Sequence, residues 1–554
     1  MKWSRLVLAL SLVAQAALAQ SAGPVCEVAR PLDGQRLLRR LSLDLRHVVP
    51  SRVEQEAQRG HEDVSEATID AMLSSDGFRK VVRAYHADLL WPNLDAVEID
   101  PNYFDLIETE IAPGVKVWWS PVRSLYYRTI TKVFVPCSAQ PASYDTSGYL
   151  VTAPLIEGGM PVARQEGWVE VEPYWAPGTR VKVCGYDAQT AAQAPICPTG
   201  GGAYVTQTCN QFRGYAQAVG FDPTGQPAAC DSAFGLLAPG CGCGPNLRFC
   251  STDATAKAVR ASMLEQQLRL IDRIVTTGRP YTDVLLAKDV EVNGPLAHYL
   301  TFQSTTSFDI FGEKDVTAPV PAGLSYTSPG WVPQPRAGRH SGVLTTAGYL
   351  LKFQSNRARA HRFYSAFECS QFVPNGPLPS PSEPCSKRED LTQRCGCNAC
   401  HVKLEPMAAH WGRFAEYGHT PLDEARYPKT YGTVCAGITN LDQLFRCFRF
   451  YQLEAVGDEL PFKGLLKPYV FRTPEEEAGL EAGPTHLVQE SIDSGRFAQC
   501  TTRRVWTRFM HREPTAAEEL EVLPGLAQDF EANGFDFKRL VKAVVMNPAY
   551  RRMP

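Results

Sequence analysis

The chain lacks several features that would assign it at once. It has no run of about 20 apolar residues of the length a bilayer span needs. It has no basic stripe of the kind that tracks nucleic acid, no acidic tail and no repeat at solenoid period. G-x-S-x-G, H-E-x-x-H and P-loop patterns are missing, so hydrolytic and nucleotide chemistry have no motif to rest on. Ser, His and Asp residues are too scattered to assign as a triad. Charged residues make up 21% of the chain and the formal net charge is only −3. These absences argue against a membrane-spanning or nucleic-acid-binding protein and leave a folded chain of ordinary composition, long enough at 554 residues for two to four domains.

Cysteine is what the chain does have, 17 in all. Three fall within six residues in "RCGCNACHVKLEPMAAHW" (394–411), and Cys397-Asn398-Ala399-Cys400-His401 reads C-x-x-C-H, the spacing of covalent c-type haem attachment. The chemistry accounts for the spacing. Two vinyl groups need two thiols on one short turn to form thioethers, and the next residue then presents an imidazole to the iron. Cys397 and Cys400 are thus the candidate haem attachment points, and His401 the candidate proximal iron ligand. Three other readings stay open: a disulfide cluster, a zinc site drawing on Cys385 and Cys395 upstream, and a thioredoxin-like C-x-x-C, for which no βαβ context is visible.

The N-terminus bears on the choice. "MKWSRLVLALSLVAQAALAQ" has Lys2 and Arg5 before an apolar stretch, Leu6 to Val13, and an A-x-A site at Ala17-Leu18-Ala19. Residues 1–19 read as a signal peptide. No cysteine follows the cleavage site directly, so a lipid anchor is not expected. An exported chain, periplasmic or extracellular, meets the conditions for c-type haem attachment, and disulfides persist there too.

Composition divides the rest. Residues 26–136 read as an N-terminal helical domain: Leu37, Leu38, Leu41 and Leu45 share one helical face, a second helix starts at Ser65, and Phe78 to Leu89 continue the pattern. Residues 137–250 hold eight cysteines (Cys137, Cys184, Cys197, Cys209, Cys230, Cys241, Cys243 and Cys250) in a Gly-, Pro- and Tyr-rich stretch of turns and short strands. This is an inserted disulfide-stapled lobe, with a metal site at Cys241-Gly242-Cys243 the minor alternative. Residues 251–375 are helical, with a stripe over 254–277 running from Met263 to Val275. Residues 376–435 carry a proline-rich connector, "GPLPSPSEPC", and then the haem segment. Residues 436–554 form a C-terminal helical domain, with helices near 496–511, 515–532 and 536–547. Seven further cysteines (Cys26, Cys369, Cys385, Cys395, Cys435, Cys447 and Cys500) are odd in number, so one is left over unless a bridge crosses blocks. The fold class expected is mainly α, multi-domain, with a cytochrome-like segment and a β or irregular insertion.

Several segments together resemble the planctomycete-cytochrome-like secreted proteins of unknown function. "LRRLSLDLRHVVPSRVEQ" (38–55), "IDRIVTTGRPYTDVLLAKDVEVNGPLAHYL" (271–300) and "RHSGVLTTAGYL" (339–350) are similar to that family's motifs, in its order. The proline-rich connector and C-x-x-C-H then follow. Glu405-Pro406 stands where the family has Asp-Pro, and Phe414 and Gly418 match, whereas Ala408 and Gly412 depart from its pattern. "FAQCTTRRVWTRFMHREPTAAEE" and "FDFKRLVKAVVMNPAYRRM" resemble its C-terminal helical domain. The resemblance implies one covalent haem c. It supplies no substrate.

The role of a haem here depends on its sixth ligand. Met407 would sit about 9 Å along a continuous helix and roughly 240° around from His401, pointing away, unless Pro406 breaks the helix. His340, His410, His419, Met510 and His511 are further candidates, and none identifies itself. Arg339 and Arg413 could pair with propionates, and Trp411 and Phe414 could pack on the macrocycle. Electron transfer between a redox partner protein and an extracytoplasmic reaction is the leading expectation. A haem-dependent oxidative enzyme of peroxidase or oxygenase type is the first alternative, and a disulfide-rich surface binding protein the second. The distal ligand, substrate, partner and oligomeric state stay open.

Overall fold

A computed structural model describes residues 31–99, 104–144, 146, 150–188, 220–221, 227–228, 242–304, 315–372, 379–431, 435 and 447–552. The signal segment 1–19, Cys26 and four cysteines of the insertion (Cys197, Cys209, Cys230 and Cys241) lie outside them.

The chain is mainly α-helical. Local chemistry sets the helix ends. Asp33 caps the Gly34–Arg46 helix by accepting from Arg36 N at 2.9 Å. Ser65 and Ser75 cap consecutive helices, Glu66–Leu73 and Asp76–Leu90. Thr252 and Thr255 form a reciprocal capping box at the start of the Asp253–Thr277 helix. That helix ends on Gly278, whose φ of +69° is left-handed and free of the penalty a Cβ would bring.

Helices from all three helical stretches contribute to one hydrophobic core. Leu41, Val81, Ile271, Phe363, Trp506 and Val541 belong to one continuous core, drawn from the N-terminal, central and C-terminal helical stretches alike. The core joins what the sequence divides at 136, 251 and 436. It is continuous because each helix has a single apolar stripe and needs a neighbour to cover it. The expected helix over 515–532 is two, Ala516–Glu521 and Leu523–Ala532, with Pro524 opening the second.

The insertion is a β-rich lobe. Strands β1 (Ile107–Ala112), β2 (Val115–Trp119), β5 (Trp168–Val171) and β6 (Val181–Cys184) make a sheet in the order β1-β2-β6-β5. β2 and β6 run parallel and the other pairs antiparallel. The hairpin β3 (Ala153–Glu157) and β4 (Met160–Gln165) turns on Gly158 and Gly159, both at positive φ. The lobe thus begins about thirty residues before the Cys137 boundary read from composition, since β1 and β2 contain no cysteine to mark them. Cys137–Cys184 and Cys243–Cys250 are bridged within it. Outside it, Cys369–Cys500, Cys385–Cys395 and Cys435–Cys447 pair, so six of the seven remaining cysteines are matched; the seventh, Cys26, lies outside the described residues. The five disulfides among the described residues are the chemistry of an oxidising, exported environment. Among the described residues no helix is long and apolar enough to cross a membrane.

A buried charge cluster holds the lobe together. Arg128 Nε and Nη2 donate to Glu166 at 2.9 and 2.5 Å, and Nη2 also donates to Asp187 at 2.9 Å. All three side chains are fully buried. Removing the cation would leave two carboxylates facing each other without compensation. Arg128→Leu should therefore cost about 3–5 kcal/mol and expose the lobe to protease before the helical core. Unchanged proteolysis between 104 and 188 would contradict this.

Candidate functional site

Gly396, at φ +76°, turns the chain into the Asn398–Ala409 helix, and Cys397 stands at its N-terminal boundary without a side-chain cap. The Cys397 carbonyl accepts from Cys400 N at 3.2 Å and His401 N at 3.0 Å, so both cysteines and the histidine lie on its first turn. Among the described residues, Cys397 and Cys400 are the two cysteines outside a disulfide, and both are partly exposed. Cys385 and Cys395, on which a zinc site would have to draw, are bonded to each other. That bridge closes the short loop between the end of the proline-rich connector and Cys397 and leaves the next two thiols free.

His401 is oriented from below. Its Nδ1 is 2.6 Å from Glu405 Oε1, one helical turn on. Glu405 is buried and also accepts from Arg357 Nε at 2.6 Å and Arg472 Nη2 at 3.0 Å. Burial alone would push the Glu405 carboxyl up, but the hydrogen bonds and charges of Arg357, His401 and Arg472 outweigh it and hold the group below the usual carboxylate range. With Nδ1–H donating to Glu405, the free nitrogen of His401 is Nε2. A metal-binding histidine commonly shows this arrangement, its second nitrogen donating to a carboxylate.

The same helix face borders a cleft of about 520 Å³ lined by Glu405, Ala408, Phe414, Arg449, Phe450 and Lys467. Cys397, Cys400 and His401 are not among its lining residues; Glu405 is the residue that joins the cleft to His401. A small second core, including Ala409, Leu422, Tyr451, Leu466 and Tyr469, packs beside it.

The other candidates are dispersed. The helix runs through Pro406 without breaking, and Met407 lines a different cleft together with His410. His340 accompanies Asp315, 2.8 Å from its Nε2, in a third cavity of about 330 Å³ that His419 also lines. Met510 is in the helical core, and His511 meets Asp44 at 2.9 Å on the surface. Arg339 and Arg413 are both bound to Glu481, at 2.7 and 3.0 Å. Trp411 is buried in the main core, its Nε1 donating to the Leu344 carbonyl at 3.2 Å. Phe414 is the one of these that borders the cleft beside Glu405. Cys243, half of the alternative metal pair in the insertion, is bridged to Cys250.

The sequence reading did not anticipate Glu405, Arg357 and Arg472. The spacing of Glu405, four residues after His401, was the available signal. Neither arginine carries one, because each reaches the site from a distant segment. Compared with known proteins, the chain matches no family model, no curated protein and no solved structure.

The carboxylate clamp can be tested without any cofactor. Glu405→Ala removes the partner of Arg472, whose side chain is mostly buried, and should lower stability to denaturant by about 3 kcal/mol, as for a broken buried pair. Arg357→Ala removes a half-exposed partner and should cost about 1 kcal/mol or less. Equal, small losses in both would show that Glu405 is not structurally clamped.

Proposed function

We propose that this is an exported monohaem c-type cytochrome-like protein that carries electrons between a partner and a reaction outside the cytoplasm. The single observation that carries the reading is the state of the cysteines. Every other described cysteine is bridged, whereas Cys397 and Cys400 are left as thiols, four residues and one residue before His401, in C-x-x-C-H order. In an oxidising compartment, two neighbouring thiols left out of the bridging pattern call for another partner. The order of motifs shared with planctomycete-cytochrome-like proteins supports the same reading.

The residues fit the group. Cys397 and Cys400 would hold a haem through thioethers, and His401 Nε2 is the nitrogen left to meet the iron. When bound, haem supplies a one-electron couple whose potential follows the axial ligand and its hydrogen bonds. Glu405 fixes the tautomer and rotation of His401. By accepting its Nδ1–H, Glu405 also makes the imidazole a stronger donor and so favours the oxidised state. Arg357 and Arg472 hold Glu405 in place and temper its charge.

One placement favours the oxidative-enzyme reading as a second possibility. Met407 and His410, the nearest sulfur and imidazole donors in sequence, line the cleft on the other side of the helix from Glu405. A closed, low-spin iron would need a donor from elsewhere.

Protein made with c-type maturation machinery should keep its haem through acid–acetone extraction, and loss of all haem would sink the proposal. A haem-loaded His401→Ala variant should show a changed Soret band and a shifted potential. Glu405→Gln should raise the potential, shifting the oxidised-to-reduced ratio about tenfold, roughly 59 mV for one electron. Insensitivity of wild type to carbon monoxide supports electron transfer, whereas carbon monoxide binding with peroxide turnover supports the oxidative enzyme.

A further inference from the structure

We infer that His410, His486 and Glu490 form a binding site for a divalent first-row transition metal, separate from Cys397, Cys400 and His401. One ligand atom from each of the three residues lies within 4.8 Å of those of the other two. His486 and Glu490 are one turn apart on the Pro484–Asp493 helix and so share a face, with His486 Nδ1 3.8 Å from Glu490 Oε1. His410 caps the end of the Asn398–Ala409 helix and brings the third donor from another part of the chain. Its ring stacks on that of His486, centroids 5.6 Å apart and planes at 22°.

The packing around His410 holds the ring in place. The Gly483 carbonyl lies 3.2 Å from its Nδ1. Any Cβ on Gly479 would stand 2.8 Å from His410 Cε1, so the ring occupies space that only a glycine leaves open. His410 is buried, while His486 and Glu490 are exposed and complete the set from the solvent side. A cleft of about 530 Å³ opens on all three, and Glu368, Glu475 and Glu476 outnumber Lys403 and Arg496 on its wall. The local field therefore favours a cation.

Donor chemistry selects the class of ion. Two imidazoles and one carboxylate suit zinc and its neighbours, whereas calcium and magnesium require oxygen ligands throughout. Three protein ligands leave a fourth tetrahedral position for water or a small molecule from the cleft, the arrangement of an open zinc site. Zn²⁺ is the ion this set fits.

The test uses the full exported protein, dialysed against chelator and titrated with Zn²⁺ by calorimetry. Wild type should take up one ion per chain. His486→Ala and Glu490→Gln, both at surface positions, should each weaken binding by about 100-fold or more, beyond the usual effect of an outer-shell change. His401→Ala should leave zinc binding unchanged. X-ray absorption of the zinc-loaded wild type should show nitrogen and oxygen donors with imidazole scattering. No uptake by wild type, undiminished uptake by both variants, or sulfur in the first shell would each overturn the assignment.

Discussion

Two thioether bonds to one porphyrin demand two reduced thiols about one helical turn apart on the same face, with an imidazole immediately after them. Much of the surrounding structure serves that constraint in the proposed function. Cys395 is two residues before Cys397, and as a free thiol it would compete for the same chemistry. Its bond to Cys385 removes it and closes the ten-residue step between the end of the connector and Cys395. The backbone hydrogen bonds from Cys400 and His401 to the Cys397 carbonyl then set the remaining three groups on one turn.

Glu405 ties that turn to the rest of the molecule. It is one residue on the Asn398–Ala409 helix, but its partners come from the Asn356–Phe367 helix and from the segment before Pro474. The Asn356–Phe367 helix is packed into the main core, and the Cys369–Cys500 bridge pins the chain just after it to the C-terminal helices. The orientation of His401 therefore depends on tertiary packing contributed by both ends of the chain. The insertion has its own disulfides and the buried Arg128–Glu166–Asp187 cluster, and it packs on the helical body through Tyr174, which stacks on His298.

Helices were legible where one apolar stripe met a clear cap. The stripes at 33–46, 254–277, 496–511 and 536–547 correspond to Gly34–Arg46, Asp253–Thr277, Arg496–Met510 and Phe537–Met546. The sheet was legible only in part. β1 and β2 precede the first cysteine of the insertion, and half-exposed short strands give little alternation to read. The sharing of one core by the N-terminal, central and C-terminal helices was not legible, because composition does not reveal which stripes cover one another. At the site, C-x-x-C-H and the turn away of Met407 could be read from spacing alone. The arginines on Glu405 could not, nor could the meeting of His410 with His486 and Glu490, since those depend on segments about 50 to 80 residues apart in sequence.

The central claim is that Cys397 and Cys400 are the covalent attachment points of one haem. Peptide mass spectrometry of protein recovered from the exported fraction tests it most directly. The account predicts that the peptide spanning Cys397 to His401 carries the mass of one haem, with neither thiol open to alkylation and Cys385 joined to Cys395. An unmodified peptide with both thiols alkylated, or one with Cys397 bonded to Cys400, would contradict it.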